Sequence, residues 1–170
     1  MNIIEELEKR VNYPLNSLEM LSKLNFKTNL ITYKDLKKIK SIDELLKPYN
    51  CCVILYLNTH NFGHWTCIFK YPKKDIVEIF DSYGKIVDQP LSYSKYSKKA
   101  VKGQKLLSKL LYKSPYEVEY NDFPLQGKDS ATCGRWVIHR LLNKNKDIYE
   151  YINFWKQYKY RDYLISYLII

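Results

Sequence analysis

In the stretch DSATCGRWVIHRLL, residues 129–142, Cys133 stands where a helix is about to begin, with Gly134 behind it and Gln126 upstream. The dipole and unpaired amides of a helix's first turn favour an anion, so a thiol placed there can be held as the thiolate, the nucleophilic form. Asp129 or Ser130 would cap that helix, and Trp136, Val137 and Leu141 would form its buried face. The plainer reading is a small buried hydrophobe, the usual fate of a free cysteine.

A nucleophilic thiol needs a base, and His64 is the best placed histidine. If residues 71–74, YPKK, close a regular antiparallel hairpin with Lys70 opposite Asp75, then Thr66 faces Ile79 and His64 lands opposite Asp81. Directly opposed residues share a face with their Cβ atoms roughly 5 Å apart, so the carboxylate could hold one imidazole nitrogen and leave the other as base. Trp65 and Phe80, on the other face, read as core. A shift of register would break the alignment. His139 lies on the same helix as Cys133, and about 100° per residue carries it round to where it cannot reach the sulfur. His60, in the loop THNFG, has no carboxylate to orient it.

Gln126 can fold back over the sulfur and, with the backbone amide of Cys133, aim two donors at an oxyanion. Gly134 would let a substrate backbone approach closely, and Trp65 and Gly134 are candidate substrate contacts. Zinc is the competing use of His60, His64, Cys51, Cys52 and Cys67, but strand alternation sends Cys51 and Cys52, and likewise His64 and Cys67, to opposite faces. The sequence therefore assigns no metal ligand, and Cys51, Cys52 and Cys67 read as packing residues.

The elements needed to hold this constellation follow from periodicity. Short helices are expected over residues 3–11, 17–24 and 41–46, the last opening on a Ser-Ile-Asp-Glu capping box. Strands follow at 51–57 (CCVILYL), 64–70 and 76–81, then a Lys/Ser/Tyr-rich loop, an amphipathic helix over 101–112 and a strand at 116–120. The nucleophile's helix and an aromatic tail of one or two more helices complete an α+β order with a mostly antiparallel sheet.

The chain has 170 residues, 46% hydrophobic, with only 5 Gly and 6 Pro, enough for one globular domain spanning 1–170. The segment MNIIEELEKR is acidic where a secretory signal is basic, and no apolar run has membrane-span length; the expectation is a soluble intracellular monomer, with no membrane partner. Four cysteines, two of them adjacent, do not form a disulfide framework. The net charge of +10, concentrated in KDLKKIK, SKYSKK and KNK, is either a solvated lysine surface or one that binds nucleic acid without reading sequence.

His64-Trp65, Asp81-Ser82, Gln126 and Cys133-Gly134, in that order, resemble the cysteine protease clan of the adenovirus maturation protease and the SUMO-specific proteases, over residues 51–142. Papain-like enzymes of other clans place the cysteine first. The resemblance implies a papain-like, adenain-like α+β fold with Cys133 heading a central helix. It also implies Cys133 as nucleophile, His64 as base then acid, Asp81 as its orienter and Gln126 as oxyanion donor, with no metal. The compact size and basic charge are most similar to the viral branch, including virophage and polinton-like elements, whose enzymes cut capsid and core precursors in the assembling particle. That places the protein in the virion and at the assembly site in the host cytoplasm or nucleus, with DNA or a viral peptide as activator, although no residue here matches a peptide-linking cysteine. Asp81 stands where the adenovirus enzyme has glutamate. The same residues would serve a ubiquitin or SUMO deconjugating protease or an acetyltransferase, and a non-catalytic basic nucleic-acid-binding or scaffold module is the reading without chemistry.

Overall fold

A computed structural model describes residues 2–170. Two short helices, α1 (Ile3–Val11) and α2 (Ser17–Lys23), each open on an asparagine capping box, Asn2 with Glu5 and Asn16 with Glu19. Strand β1 (Asn29–Thr32) leads into a 3-10 turn (Tyr33–Lys38) and helix α3 (Ile42–Leu46). Ser41 caps α3 as its sequence suggests, accepting from the Glu44 N–H, but the Glu44 carboxylate reaches back to the Lys40 amide, so the box is not reciprocal.

The centre of the chain forms β2 (Cys51–Leu57), β3 (Gly63–Lys70) and β4 (Ile76–Phe80). A 3-10 turn (Gln89–Tyr93) and α4 (Lys95–Ala100) follow, then α5 (Leu106–Tyr112) and β5 (Glu117–Tyr120). The chain ends in α6 (Cys133–Leu142), α7 (Ile148–Lys156) and α8 (Arg161–Leu168). The sheet runs β1-β2-β3-β4-β5; its three central strands are antiparallel and each edge strand lies parallel to its neighbour. The fold is α+β, with the two parallel edges added to the expected antiparallel centre.

Alternation along the strands builds two cores. Cys51, Val53, Trp65, Cys67, Phe69 and Phe80 face α6 and α7, whose Trp136 and Trp155 pack edge to face with centroids 4.7 Å apart. Cys52, Ile54, Tyr56, Ile68, Val77 and Ile79 face the other way, against Tyr33, Leu36, α3 and α5. Cys51, Cys52 and Cys67 are thus packing residues, and burial drives the thiols of Cys52 and Cys67 well above the ordinary range.

Three expectations change. The hairpin register is offset: Ile68 pairs with Ile79 and Lys70 with Val77, the Tyr71 amide donates to Ile76 O at 2.9 Å, and Asp75 moves into the turn. The shift is two residues, so every side chain keeps its face. The helix expected from residue 101 begins at Leu106 because Lys102 and Gly103 take left-handed conformations, φ +53° and +71°. Residues expected as loop before it carry α4, which buries Ser97 so that its hydroxyl accepts from the Leu57 amide at 2.7 Å.

Candidate active site

The site forms at the end of the sheet where β3 starts, β4 stops and α6 begins. His64 pairs with Tyr56 on β2 and shares its face, whereas Trp65, the next residue, turns toward α6. Asp81 follows the last residue of β4. In the observed register Asp81 is a diagonal neighbour of His64 rather than directly opposite, and the reach is still sufficient: His64 Nε2 lies 2.8 Å from Asp81 Oδ1. The expectation that a slip would separate them fails because an even slip preserves the face.

Asp81 is held from its backbone as well. Its amide donates to Asn121 Oδ1 at 3.1 Å, its carbonyl accepts from Asn121 Nδ2 at 2.6 Å, and Oδ1 also accepts from the Tyr83 amide at 2.8 Å. With Nε2 engaged by the carboxylate, Nδ1 is the imidazole nitrogen left for Cys133, which lines the same cleft as His64. Burial by itself lowers the His64 pKa; the Asp81 charge and hydrogen bond, followed by the bond and charge of Cys133, outweigh it and raise the pKa to about 10. The imidazolium is therefore the favoured form at neutral pH, a state that stabilises a thiolate beside it.

Cys133 is the first residue of α6. The expected cap by Asp129 or Ser130 is not what forms. Thr132 is the cap residue and makes no side-chain capping bond, because its hydroxyl donates to Asp162 instead, at 2.5 Å. The first turn thus keeps amides directed at the sulfur's end of the helix.

Gln126 lines the same cleft as Cys133 and His64, about 270 Å3 in volume. Its Oε1 accepts from the Ser82 hydroxyl at 2.6 Å and its Nε2 donates to Ser130 O at 2.9 Å, so the amide is oriented and one of its two N–H bonds remains for a ligand. The Ser82 carbonyl also accepts from the Leu125 and Gln126 amides, at 2.8 and 3.0 Å. Ser82 therefore joins the acid's strand to the glutamine's loop.

The four residues expected to act together, His64, Asp81, Gln126 and Cys133, do converge. Trp65 and Gly134 do not line the cleft. Trp65 is buried with its indole N–H on Leu15 O at 2.9 Å. A Cβ on Gly134 would sit 2.9 Å from Met20 Sδ and 3.2 Å from Trp65 Cδ1, so this glycine lets α6 close on the core. His60 is exposed in its loop, and His139 bonds the Tyr151 hydroxyl at 2.7 Å, its pKa lowered to about 4 by burial and then by Lys146 and Arg140.

Three site residues carry no sequence signal of their own. Tyr83 stacks on the His64 ring at 4.7 Å and 25°, and Tyr93 meets the same ring edge-on at 6.2 Å. Gly84, with φ +70° and its amide on Asp81 O, makes the turn that brings Tyr83 back. Asn121 is the third; as a buried polar residue just after a strand it offered only its amide as a hint.

No protein-family model matches the chain. Over 168 residues it is 38% identical to the uncharacterized protein V9 of Sputnik virophage, covering 96% of this chain and 92% of that protein. The chain belongs to the Sputnik V9 family. Among solved structures it is similar to the C-terminal Ulp1 protease domain in complex with Smt3, the yeast orthologue of SUMO, at 17% identity and a TM-score of 0.42, over 96% of this chain and 78% of the other. A second likeness is to the SUMO protease Ulp1 with its catalytic cysteine oxidized to a sulfinic acid, at 16% identity and a TM-score of 0.39, over 92% and 78%.

Proposed function

We propose that this V9-family chain is a cysteine endopeptidase that cleaves capsid and core precursors during virion maturation. The observation that carries the chemistry is the Asp81–His64 hydrogen bond at a cleft that His64, Cys133 and Gln126 line together. In the first step the Cys133 thiolate adds to the scissile carbonyl carbon, and the oxygen takes the negative charge between the Gln126 Nε2–H and the Cys133 backbone N–H. His64 then gives its proton to the leaving amine as the C–N bond breaks, producing a thioester and a new N-terminus. Water, losing a proton to His64, adds to the thioester; the collapse expels the Cys133 thiolate beside the reprotonated His64 and frees the acid product, which gives its own proton to solvent, so the enzyme ends as it began. Asp81 keeps the ring oriented throughout and stabilises its charged form.

The precursor substrate is supported by the viral relative and by the compact basic chain. The site of action is then the assembling particle within the infected cell. A nucleic-acid activator is assigned to the lysine-rich surface where the Tyr33–Lys38 turn meets α4, tied by Lys37 Nζ donating to Ala100 O. Purified protein mixed with its own virus's capsid precursors, with and without DNA, should generate new N-termini. Cys133→Ala should abolish them with the fold intact. Turnover of ubiquitin or SUMO C-terminal amides with no cut in any precursor would replace this substrate assignment.

A further inference from the structure

The C-terminal helix α8 contributes a side chain to both halves of the site. Asp162, in its first turn, spans three partners. Oδ2 accepts from the Gly127 amide at 2.8 Å, the residue after Gln126. Oδ1 accepts from the hydroxyl of Thr132, the residue before Cys133, and from the Trp136 indole N–H at 3.1 Å, one turn into the nucleophile's helix. One carboxylate therefore fixes the distance between the loop that carries the glutamine and the helix that carries the sulfur.

The fit is close. A Cβ on Gly127 would stand 3.0 Å from Asp162 Oδ2, so a side chain there would press on the carboxylate. Arg161 beside it donates from Nε to Leu125 O at 3.3 Å, the residue before Gln126, with its guanidinium 5.2 Å from the Phe123 ring centroid. On the opposite side the Ala131 amide donates to Val11 O at 2.8 Å. The loop is thus pinned at 125, 127, 131 and 132, and the span between is bridged by Gln126 Nε2 on Ser130 O.

We infer that Asp162 is a positioning residue: it sets the oxyanion donor of Gln126 against Cys133 and does so through the loop, touching neither substrate nor reacting atoms. The thiol attack and its proton transfers are those given above, and the inference rests on that reading for its kinetic arm. A carboxylate is required because it accepts at both oxygens; an amide in its place offers N–H to one of three groups that are themselves donors.

The test is Asp162→Asn, alone and combined with Gln126→Ala, in the full-length protein. Hydrogen exchange at the Gly127 amide should accelerate by about tenfold or more, while exchange within β3 stays as in the wild type. On a cleaved precursor, Gln126→Ala should lower kcat about a hundredfold. Asp162→Asn should lower it by about tenfold with KM within about twofold, and should add nothing in the Gln126→Ala background. Equal losses in both backgrounds, or an unchanged Gly127 exchange rate, would overturn the inference. If the wild type cleaves nothing, the endopeptidase reading falls and the exchange result alone decides whether Asp162 holds the loop. Should Asp162→Asn fail to fold, Thr132→Val removes one of the three bonds and should shift Gly127 exchange in the same direction by less.

Discussion

Two ion pairs lie beside the two ends of α6, one tying β4 to the helix and the other tying the residue after β4 to β3, and they are built to opposite specifications. At the far end of α6, Arg140 is completely buried and grips Glu78 of β4 with two bonds, Nε to Oε2 at 2.8 Å and Nη2 to Oε1 at 2.7 Å. Its remaining donors reach the carbonyls of Asn143 and Lys146, its face lies over the Phe69 and Tyr151 rings, and Glu78 Oε1 also accepts from the Tyr71 hydroxyl. At the near end, His64 and Asp81 share one bond, and Asp81 Oδ2 is buried without a hydrogen-bond partner among the described residues. The Glu78–Arg140 pair is bonded through both carboxylate oxygens and held from the helix end as well; the His64–Asp81 pair leaves Nδ1 of the imidazole facing the cleft that Cys133 lines. The difference separates holding an element from moving a proton.

The largest expected break in that comparison is at the cleft. Asp81→Ala should cost about ten-thousand-fold in kcat, read as precursor cleavage. At the other end the pattern inverts. Glu78→Gln strands a buried guanidinium and should cost about 3–5 kcal/mol of stability, a drop in melting temperature of about 10 °C, with per-molecule turnover of the folded fraction unchanged. Tyr83→Ala removes the ring stacked on His64 and should cost about 1 kcal/mol, read as a five- to tenfold loss in kcat/KM.

The two pairs also differ in pH dependence, and the sign follows from the folded-state pKa. His64 binds its proton more tightly folded than unfolded, so its contribution to stability is complete below its unfolded value of about 6.5 and fades as pH rises through about 10. Urea titrations across that interval should show wild type losing stability that His64→Gln does not lose. The Arg140 pKa is raised above its already high value because its bonds to Glu78 outweigh burial, so Glu78→Gln leaves the slope across that interval unchanged.

Much of this arrangement could be read from residue order because chemistry restricts residue type more tightly than packing does. A thiol before an amphipathic run, a histidine and an acid on one face of a hairpin, and a glutamine upstream are few enough to align without coordinates. The hairpin survived a wrong register because strand parity, rather than position, decides which face His64 and Asp81 share. Contacts set by turns were not legible: Tyr83 reaches the His64 ring only through the left-handed Gly84, and Asp162 reaches the loop only through the docking of α8. Strand β1, four residues long on a sheet edge, has too short a pattern to stand out, and α4 was hidden by lysines whose face is solvent. Trp65 and Gly134 sit beside His64 and Cys133 in sequence yet serve the core, since adjacent strand residues face opposite ways and a Cβ on Gly134 would press on Met20.

The central claim is that His64 holds Cys133 as a reactive thiolate. Iodoacetamide labelling of Cys133, followed by mass spectrometry from pH 5 to 10, tests it directly. The account predicts fast labelling at neutral pH, well ahead of Cys51, Cys52 and Cys67, and a marked slowing of it in His64→Ala. Labelling of Cys133 no faster than that of the buried cysteines, and unchanged when His64 is removed, would contradict it.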